Sequence, residues 1–459
     1  MINYVDRVLV PTIKSRDVKI EKLIKRPKDI VINRESSLNK IKISFDKIEI
    51  EVRAEEEANQ AMRYLDQLEA QYDSFLPICE FEFYSPMFGY RGFMIDTVRE
   101  FFSVKELKRI IYAFSLVGYN YFHFHLTDDQ GWRFAVPGYD KLETISSKRF
   151  RYENDDLNHV VSGFYTTDDL KEIEAYCLAL GITVIPEIET PGHAEALLAS
   201  YPEFGCTGEV IPVQANYGVF SNVMNPASSS LWVFLDKAIE TLSSIFHGPF
   251  IHIGGDECPH EQWEKNQECL ALMKENNITN VDDLQGLFTS KMSQLVSSYG
   301  KRAIGWDEVV DAKGVDKNVV VMSWRGLEGA RKATRMGHEV ILCPQTAGCY
   351  LDRYPSNDDW EKGNLSIGTP KDAFNLDISM FELPGEYRKL ILGAQCNLWC
   401  EKIDSGREAE MMLFPRAFIL AESMWLGEKK DWEVIKRKRK ALYDLCFNLN
   451  LVCSPLRWD

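Results

Sequence analysis

The chain has 459 residues, a length that suits one large domain and one smaller domain. Its hydrophobic content of 45% and aromatic content of 12% are typical of a folded globular protein. The net charge of −16 argues against nucleic acid as a partner, and the absence of an apolar stretch of membrane-spanning length argues against a membrane protein.

The first 85 residues differ in pattern from the rest of the chain. Residues 41–46 and 48–52 alternate apolar and polar side chains, which predicts half-exposed strands. Residues 55–71 place apolar side chains three and four residues apart, which predicts an amphipathic helix. We therefore expect a small α+β domain over residues 1–85.

From residue 86 onward, strand-like and helix-like runs alternate. Such alternation predicts a parallel sheet, and eight repeats favour a closed barrel. An open doubly wound sheet is the alternative, but no glycine-rich dinucleotide motif follows an early strand. We therefore expect an α/β fold in which residues 86–459 form a (β/α)8 TIM barrel with a C-terminal helix. The eight strand-like runs lie at residues 92–96, 119–128, 182–189, 250–257, 302–308, 319–325, 339–345 and 391–399, with helix-like runs at 104–117, 167–180, 231–246 and 284–299.

Nearly every predicted barrel strand ends in residues that can carry chemistry. In a parallel barrel these ends meet at one face, where active sites are built. A mouth rich in carboxylates, Trp and Tyr favours glycoside hydrolysis, because carboxylates can protonate a leaving oxygen and aromatic rings stack on sugars. The strand-end residues are Asp128, Asp129, Glu187, Glu189, Asp256, Glu257, Asp307, Glu308, Trp324, Arg325, Trp399 and Glu401.

The run from His252 to Glu257 is the most informative of these ends. An apolar strand stops at Gly254 and Gly255 and is followed by two adjacent carboxylates. Successive strand side chains point in different directions, so Asp256 and Glu257 are not expected to flank one bond as acid and nucleophile. Either the second carboxylate comes from another strand, or the nucleophile is not a carboxylate.

Eight short motifs together resemble the glycoside hydrolase family 20 β-N-acetylhexosaminidases. Each motif is weak alone, but their common order along the chain is specific. The resemblance extends from about residue 40 to residue 426, and the front domain is similar to the small α+β domain of that family. The motifs are RGFMID (91–96), HLTDDQGWR (125–133), IPEIETPGH (185–193), HIGGDE (252–257), GWDE (305–308), YLD (350–352), LWCE (398–401) and FPRA (414–417).

The resemblance implies a retaining exo-hydrolase for terminal β-linked N-acetylglucosamine or N-acetylgalactosamine. In that family the 2-acetamido oxygen of the substrate attacks the anomeric carbon and forms an oxazolinium intermediate. On this pattern Glu257 is the general acid and then the base, and Asp256 orients the acetamido N–H. Tyr350 donates to the acetamido oxygen. Asp128 and His193 form a pair behind Glu257 that tunes its proton affinity.

The same resemblance implies a set of sugar-binding residues. Arg91 would bind the hydroxyls at C3 and C4, and Asp352 and Glu401 those at C4 and C6. A structural ion pair is the alternative for Arg91, and a packed core histidine is the alternative for His193. Glu189 stands where the family usually has Asp. The expected pocket walls are Trp306, Trp324 and Trp399, with Trp360 placed by spacing alone.

Three rival functions remain open on the sequence. His123 and His125 form a His-x-His pair that is typical of metal-dependent amidohydrolases, but the fifth and sixth strand ends carry no histidine. A sugar-binding protein without catalysis would be expected to have lost Glu257. A disaccharide-releasing relative needs only a roomier pocket.

Partners and location follow from composition. We expect a carbohydrate substrate, no cofactor and no metal, and a homodimer is compatible with a barrel rim. The eleven cysteines have neither metal-ligand nor disulfide spacing, and residues 1–14 lack the apolar core of a signal peptide, so we expect a cytoplasmic protein. The basic run at residues 436–440 is interpreted as a solvated helix face.

Overall fold

The computed structural model describes residues 4–150, 160–354, 363–364, 366–455 and 458. Among these residues, no helix is both long enough and apolar enough to cross a lipid bilayer.

The N-terminal part forms a small α+β unit, as the alternating pattern predicts. Four strands make a sheet in the order β2-β4-β3-β6, and β1 pairs with β5. The apolar side chains of β3 and β4 pack with helix α1 in a separate hydrophobic cluster. The elements are β1 Leu23–Ile24, β2 Asp29–Asn33, β3 Lys40–Ile43, β4 Lys47–Glu51, α1 Glu55–Gln71, β5 Leu76–Pro77 and β6 Cys79–Glu82.

The rest of the chain is organised around a closed barrel of eight parallel strands, which confirms the predicted fold class. All eight predicted strand runs contribute one barrel strand each. The elements up to the fourth barrel strand are β7 Tyr90–Asp96, α2 Val104–Leu116, β8 Tyr121–His125, β9 Thr127–Asp128, β10 Gly131–Trp132, β11 Lys148–Phe150, β12 Val160–Ser162, α3 Thr167–Ala179, β13 Thr183–Glu187, α4 Glu195–Ser200, α5 Ser229–Ile245 and β14 Phe250–His252.

The second half of the barrel also alternates strands and helices, with longer connections between some of the strands. Its strand order continues until β18 pairs with β7 and closes the barrel. The elements are α6 Gln267–Glu275, α7 Val281–Ser298, β15 Arg302–Trp306, β16 Val320–Ser323, α8 Glu328–Met336, β17 Val340–Leu342, α9 Pro370–Asn375, α10 Gly385–Arg388, β18 Ile391–Leu398, α11 Gly406–Leu413, α12 Arg416–Leu426 and α13 Trp432–Asn448.

Local sequence explains why these elements begin where they do. Every residue of β7 and β16 is buried, as expected for strands covered on both faces. Helix α2 begins with a capping box between Ser103 and Glu106, and α3 begins with one between Thr166 and Asp169. Because all eight strands run parallel, their carboxyl ends lie at one mouth of the barrel.

The C-terminal helix α13 joins the barrel to the small domain. Gln71 of α1 donates to the carbonyl of Ala441 at 2.9 Å, and the Lys438 ammonium donates to Oγ1 of Thr12 at 2.7 Å. Lys438 is only 1% exposed, so the interpretation of the whole basic run as a solvated face was wrong at this position. Its charge is instead held by oxygens of the N-terminal segment. The boundary between residues 85 and 86 stays a prediction.

Candidate active site

A cavity of about 160 Å³ lies at the carboxyl-end mouth of the barrel. Ten of the twelve catalytic and sugar-binding residues that the resemblance implied line it, so the motifs scattered over the chain meet at one place. The lining residues are Arg99, Asp128, His193, Asp256, Glu257, Trp306, Trp324, Gln345, Tyr350, Asp352, Arg353, Asn364, Trp399 and Glu401.

The turn after β14 sets the positions of Asp256 and Glu257. Gly254 and Gly255 have φ angles of 69° and 106°, and a Cβ on Gly254 would lie 2.0 Å from Oε2 of Glu189. Only glycine fits there without displacing its neighbours. Glu257 also has a positive φ of 42°, which is a strained conformation for a residue with a side chain. The turn leaves the Asp256 side chain 12% exposed and the Glu257 side chain 42% exposed.

His193 connects both carboxylates to the interior. Its Nε2 lies 3.5 Å from Oδ2 of Asp256 and 3.6 Å from Oε2 of Glu257, and its Nδ1 lies 2.9 Å from Oδ2 of Asp129. Burial disfavours the charged imidazole, but the carboxylates of Asp128 and Asp256 outweigh burial and hold the pKa of His193 well above its usual range. The imidazolium in turn lowers the pKa of Glu257 through its hydrogen bond.

Asp128 is the centre of a buried charge network behind His193. Its Oδ2 accepts from Nη2 of Arg99 at 2.7 Å and lies 3.0 Å from Nε2 of His125. Burial raises the pKa of this carboxyl, but the charges of Arg99 and His193 reverse the effect and lower it. His125 also contacts Glu187, which is fully buried. Asp128 therefore stays ionised and orients His193 from behind.

Aromatic rings form the walls of the cavity. The Trp306 and Trp399 rings lie 5.8 Å apart, and the Trp324 and Tyr350 rings lie 6.3 Å apart with only 12° between their planes. The carbon at the centre of the Arg99 guanidinium lies 5.3 Å from the Trp399 ring. These flat apolar surfaces suit the faces and the methyl group of an N-acetylated sugar.

Several polar atoms in the cavity have no hydrogen-bond partner among the described residues. They include both carboxylate oxygens of Asp352, Oε2 of Glu401, Oδ1 of Asp256 and Nε1 of Trp306. Burial raises the pKa of Asp352 to about 7 and also raises the pKa of Glu401. Buried polar groups are costly unless something binds them, so the cavity is suited to a ligand with many hydroxyl and amide groups.

The predicted position of Arg91 in the sugar pocket was wrong. Arg91 is the second residue of β7 and lies at the amino end of that strand, away from the cavity. Its guanidinium donates to the carbonyls of Gly118 and Phe88 at 2.7 and 2.6 Å and pairs with Glu56 at 2.6 Å. The alternative interpretation as a structural ion pair is therefore the correct one.

We expect Arg91→Met to destabilise the fold without changing substrate affinity. The substitution keeps a long apolar stem but removes three hydrogen bonds and leaves two carbonyl groups without their donor, which should cost about 2–4 kcal/mol. Urea unfolding would measure the loss. A KM that rises more than about threefold for the folded variant would contradict this assignment.

Arg99, and not Arg91, lines the cavity. It lies three residues after the carboxyl end of β7, and both Asp96 and Asp128 hold its guanidinium. Strand direction was the signal that could have identified it, because only the carboxyl end of a barrel strand reaches the mouth. Gln345, Arg353 and Asn364 also line the cavity and were missed, whereas Asp129 was predicted as a strand-end residue and contacts His193 at 2.9 Å. Trp360 lies outside the described residues.

Within the part of the chain that the structure describes, three groups of buried side chains have metal-ligand chemistry. They are His123, Glu187 and His252; His125, Asp128 and Glu189; and Asp128, Asp129 and His193. In the first group Glu187 lies 3.0 Å from Nε2 of His123 and 2.7 Å from Nδ1 of His252. These are hydrogen-bond distances between a carboxylate and imidazoles, and neither His123 nor His125 reaches the cavity.

The closed parallel barrel, with carboxylates and tryptophans at its mouth, has the architecture of a carbohydrate-active hydrolase. Residues 88–428 match the sequence-family model of the glycosyl hydrolase family 20 catalytic domain. The chain belongs to this family, as the motifs predicted.

Known relatives agree with this assignment. The chain is 36% identical over 373 residues to a β-hexosaminidase of Porphyromonas gingivalis, covering 81% of this chain and 46% of that protein. It is 35% identical over 348 residues to a β-hexosaminidase of Vibrio furnissii, covering 74% of this chain and 57% of that protein. The chain thus spans about half the length of these two relatives.

A solved structure shares nearly the whole fold. The exo-β-N-acetylglucosaminidase of Vibrio harveyi, crystallised with N-acetylglucosamine, superposes with a TM-score of 0.86 at 28% identity. The match covers 98% of this chain and 79% of that chain.

Proposed function

We propose that this chain is a retaining exo-β-N-acetylhexosaminidase that uses the acetamido group of its substrate as the nucleophile. One observation carries the proposal. Asp256 and Glu257 lie at different depths of one cavity, and the carboxylates of both lie close to Nε2 of His193. Asp256 is buried and Glu257 is at the rim, so one can contact the substituent on C2 while the other reaches the leaving oxygen. The names of the matched relatives support the same substrate class.

In the first step the acetamido oxygen attacks the anomeric carbon and the glycosidic bond breaks. Glu257 donates its proton to the leaving oxygen, so the aglycone departs as an alcohol. The half-exposed position of Glu257 suits this role, because the aglycone must lie toward solvent. Attack from the substrate itself needs no entropy loss beyond that of binding.

Asp256 and Tyr350 act on the acetamido group. Oδ1 of Asp256 has no partner among the described residues and can accept from the acetamido N–H, which stabilises the positive charge of the oxazolinium. Burial raises the pKa of Tyr350 well above its usual range, so its hydroxyl stays protonated. It can therefore donate a hydrogen bond to the acetamido oxygen. Trp306, Trp324 and Trp399 exclude water around this group.

In the second step Glu257 accepts a proton from water, which attacks the anomeric carbon and reopens the oxazolinium ring. Two inversions at one carbon give net retention. The Asp128–His193 pair sets the proton affinity of Glu257 for both steps, since His193 contacts Glu257 and Asp128 holds His193 in the charged form.

The remaining polar residues of the cavity bind the ring hydroxyls. Arg99 takes the role first given to Arg91, and Asp352 and Glu401 offer carboxylate oxygens without a described hydrogen-bond partner to the hydroxyls at C4 and C6. Neither carboxylate distinguishes the two C4 epimers by geometry alone, so we propose activity on both N-acetylglucosaminides and N-acetylgalactosaminides.

Hydrolysis of matched aryl β-glycosides of N-acetylglucosamine, N-acetylgalactosamine and glucose tests the proposal. We expect turnover of the two acetamido sugars and at least about 10³-fold lower kcat/KM for the glucoside, which lacks the nucleophile. A thiazoline mimic of the oxazolinium should inhibit both acetamido reactions. Equal cleavage of the glucoside would mean that a protein carboxylate is the nucleophile and would overturn the roles of Asp256 and Tyr350.

We also propose a cytoplasmic location and a homodimer as the assembly. All eleven cysteines are free thiols, which supports a reducing compartment. Light scattering of the purified chain would test the dimer, and a monomeric mass at micromolar concentration would exclude it.

A further inference from the structure

One wall of the cavity is held by a carboxyl group that does not itself line the cavity. Nε1 of Trp324 donates to Oε2 of Glu308 at 3.0 Å. The Glu308 side chain is only 14% exposed, and it belongs to the 3-10 segment Asp307–Val310 that directly follows β15. Trp324 directly follows β16, so this contact links the ends of two neighbouring barrel strands.

Glu308 is itself fixed in place by its neighbours. Asp307 is fully buried and accepts from Oγ of Ser323 at 3.0 Å and from Nε of Arg325 at 2.7 Å. Nε of Arg325 also lies 3.5 Å from Oε1 of Glu308. The acceptor for the indole therefore sits on a backbone segment that is anchored on both sides.

The Trp324 and Tyr350 rings face each other across a gap, which we call the slot. The orientation of the indole determines the width of this slot. The Trp324 ring is half-buried and runs within 12° of parallel to the Tyr350 ring. A tryptophan that lost this N–H acceptor could rotate about its side-chain torsions and widen this slot. The acetamido methyl would then have a looser wall.

We propose that Glu308 is a positioning residue that sets acyl-group selectivity by fixing the Trp324 indole. The inference rests on the proposed function, because it takes the acetamido group as the occupant of the slot. Glu308 is not a catalytic residue, since its effect on the substrate passes through Trp324.

The environment of Glu308 favours its neutral form. Burial, followed by the charge of Asp256, raises the pKa of Glu308 to about 9, while Arg325 and the hydrogen bond from Trp324 oppose the shift and Asp307 adds to it. A neutral carboxyl still has an oxygen that accepts from the indole. Glutamine matches this state in shape and charge, so Glu308→Gln is the conservative variant and Glu308→Ala is the disruptive one.

The readout is the ratio of kcat/KM for an aryl N-acetylglucosaminide to that for its N-propionyl analogue. This ratio does not depend on the fraction of folded enzyme. We expect Glu308→Ala to lower the ratio by roughly 3- to 10-fold, the effect of losing one hydrogen bond at a site that excludes one extra methylene. Glu308→Gln should restore the ratio to within twofold of the unmodified enzyme.

A double-mutant cycle separates the proposed route from a general disturbance. Trp324→Phe removes the N–H donor, so adding Glu308→Ala to Trp324→Phe should change the ratio by less than about twofold. Asp311→Ala is the matched control. Asp311 also pairs with Arg325, at 2.8 Å, but the indole hydrogen bond of Trp324 goes to Glu308, so removal of the Asp311 carboxylate should leave the ratio unchanged.

The outcomes distinguish this inference from the proposed function. If the unmodified enzyme cleaves no acetamido sugar, the proposed function fails. If it cleaves them and Glu308→Ala keeps the original acyl selectivity, or acts equally in the Trp324→Phe background, the positioning role of Glu308 is overturned and the proposed function stands.

Thermal unfolding gives an independent check on the state of Glu308. The folded carboxyl keeps its proton up to its pKa of about 9, whereas the unfolded one loses it near 4.5. Stability should therefore fall as pH rises between these values, and Glu308→Gln should escape this part of the loss. We expect the Tm advantage of Glu308→Gln to grow from pH 5 to pH 9. An advantage that does not change with pH would mean that Glu308 is ionised.

Discussion

Replacement of Glu257 by glutamine is expected to lower kcat about 10²- to 10⁴-fold on substrates with alcohol leaving groups, the range that general acid–base catalysis supplies. Glutamine keeps the shape of the side chain and can still interact with His193, which lies 3.6 Å from Oε2 of Glu257. It cannot donate a proton to the leaving oxygen or accept one from water. Steady-state kinetics on a disaccharide would measure the loss, and KM should change little.

The leaving group provides the internal control for this prediction. The dinitrophenolate of a dinitrophenyl glycoside leaves without being protonated. The rate of the first step should therefore fall much less for this substrate than for the disaccharide. Glu261→Gln makes the same chemical change on an exposed residue four positions further along and should leave both rates intact. A uniform loss of kcat/KM, which reports the first step alone, across all leaving groups would indicate that Glu257 has a structural role.

The barrel could be predicted because its signals are local and repeated. Each strand is a short apolar run, helix-like runs separate most of the strands, and the polar residues stand just after the strands. Closure of the barrel follows from the number of units. The position of Asp256 next to Glu257 left two possibilities open, a nucleophile from another strand or a nucleophile that is not a carboxylate. The resemblance then supplied the expected roles of Asp256, Glu257 and Tyr350.

The mistakes arose where the answer depends on position in three dimensions. Arg91 lies near the amino end of β7 and Arg99 lies just beyond its carboxyl end, so only the strand direction decides which one reaches the mouth. Lys438 looks like one cation in a solvated basic run, but the helix register turns it toward the oxygens of Leu9 and Thr12. The sequence likewise could not identify Glu308 as the acceptor of the Trp324 indole, because Glu308 follows the neighbouring strand.

The Asp256→Asn variant is expected to lose about 10²- to 10³-fold in kcat on acetamido sugars, the usual cost of removing one preorganised electrostatic partner. Asparagine has nearly the same shape and could still accept a hydrogen bond from the acetamido N–H. It lacks the negative charge that, in the proposed mechanism, stabilises the oxazolinium cation. Kinetics on an aryl N-acetylglucosaminide, together with thermal unfolding to confirm the fold, would measure the effect.

The loss should appear in kcat more than in KM, because the charge on the acetamido nitrogen develops only as the oxygen attacks. A second consequence follows from the contact between Asp256 and His193. Without the Asp256 charge the pKa of His193 should fall, because that carboxylate is one of the groups that raise it. The imidazolium lowers the pKa of Glu257, so a more easily deprotonated His193 should shift the pH profile of kcat/KM. If Asp256→Asn keeps kcat within threefold and the profile does not move, the acetamido group is not held by Asp256, and the role proposed for this carboxylate is overturned.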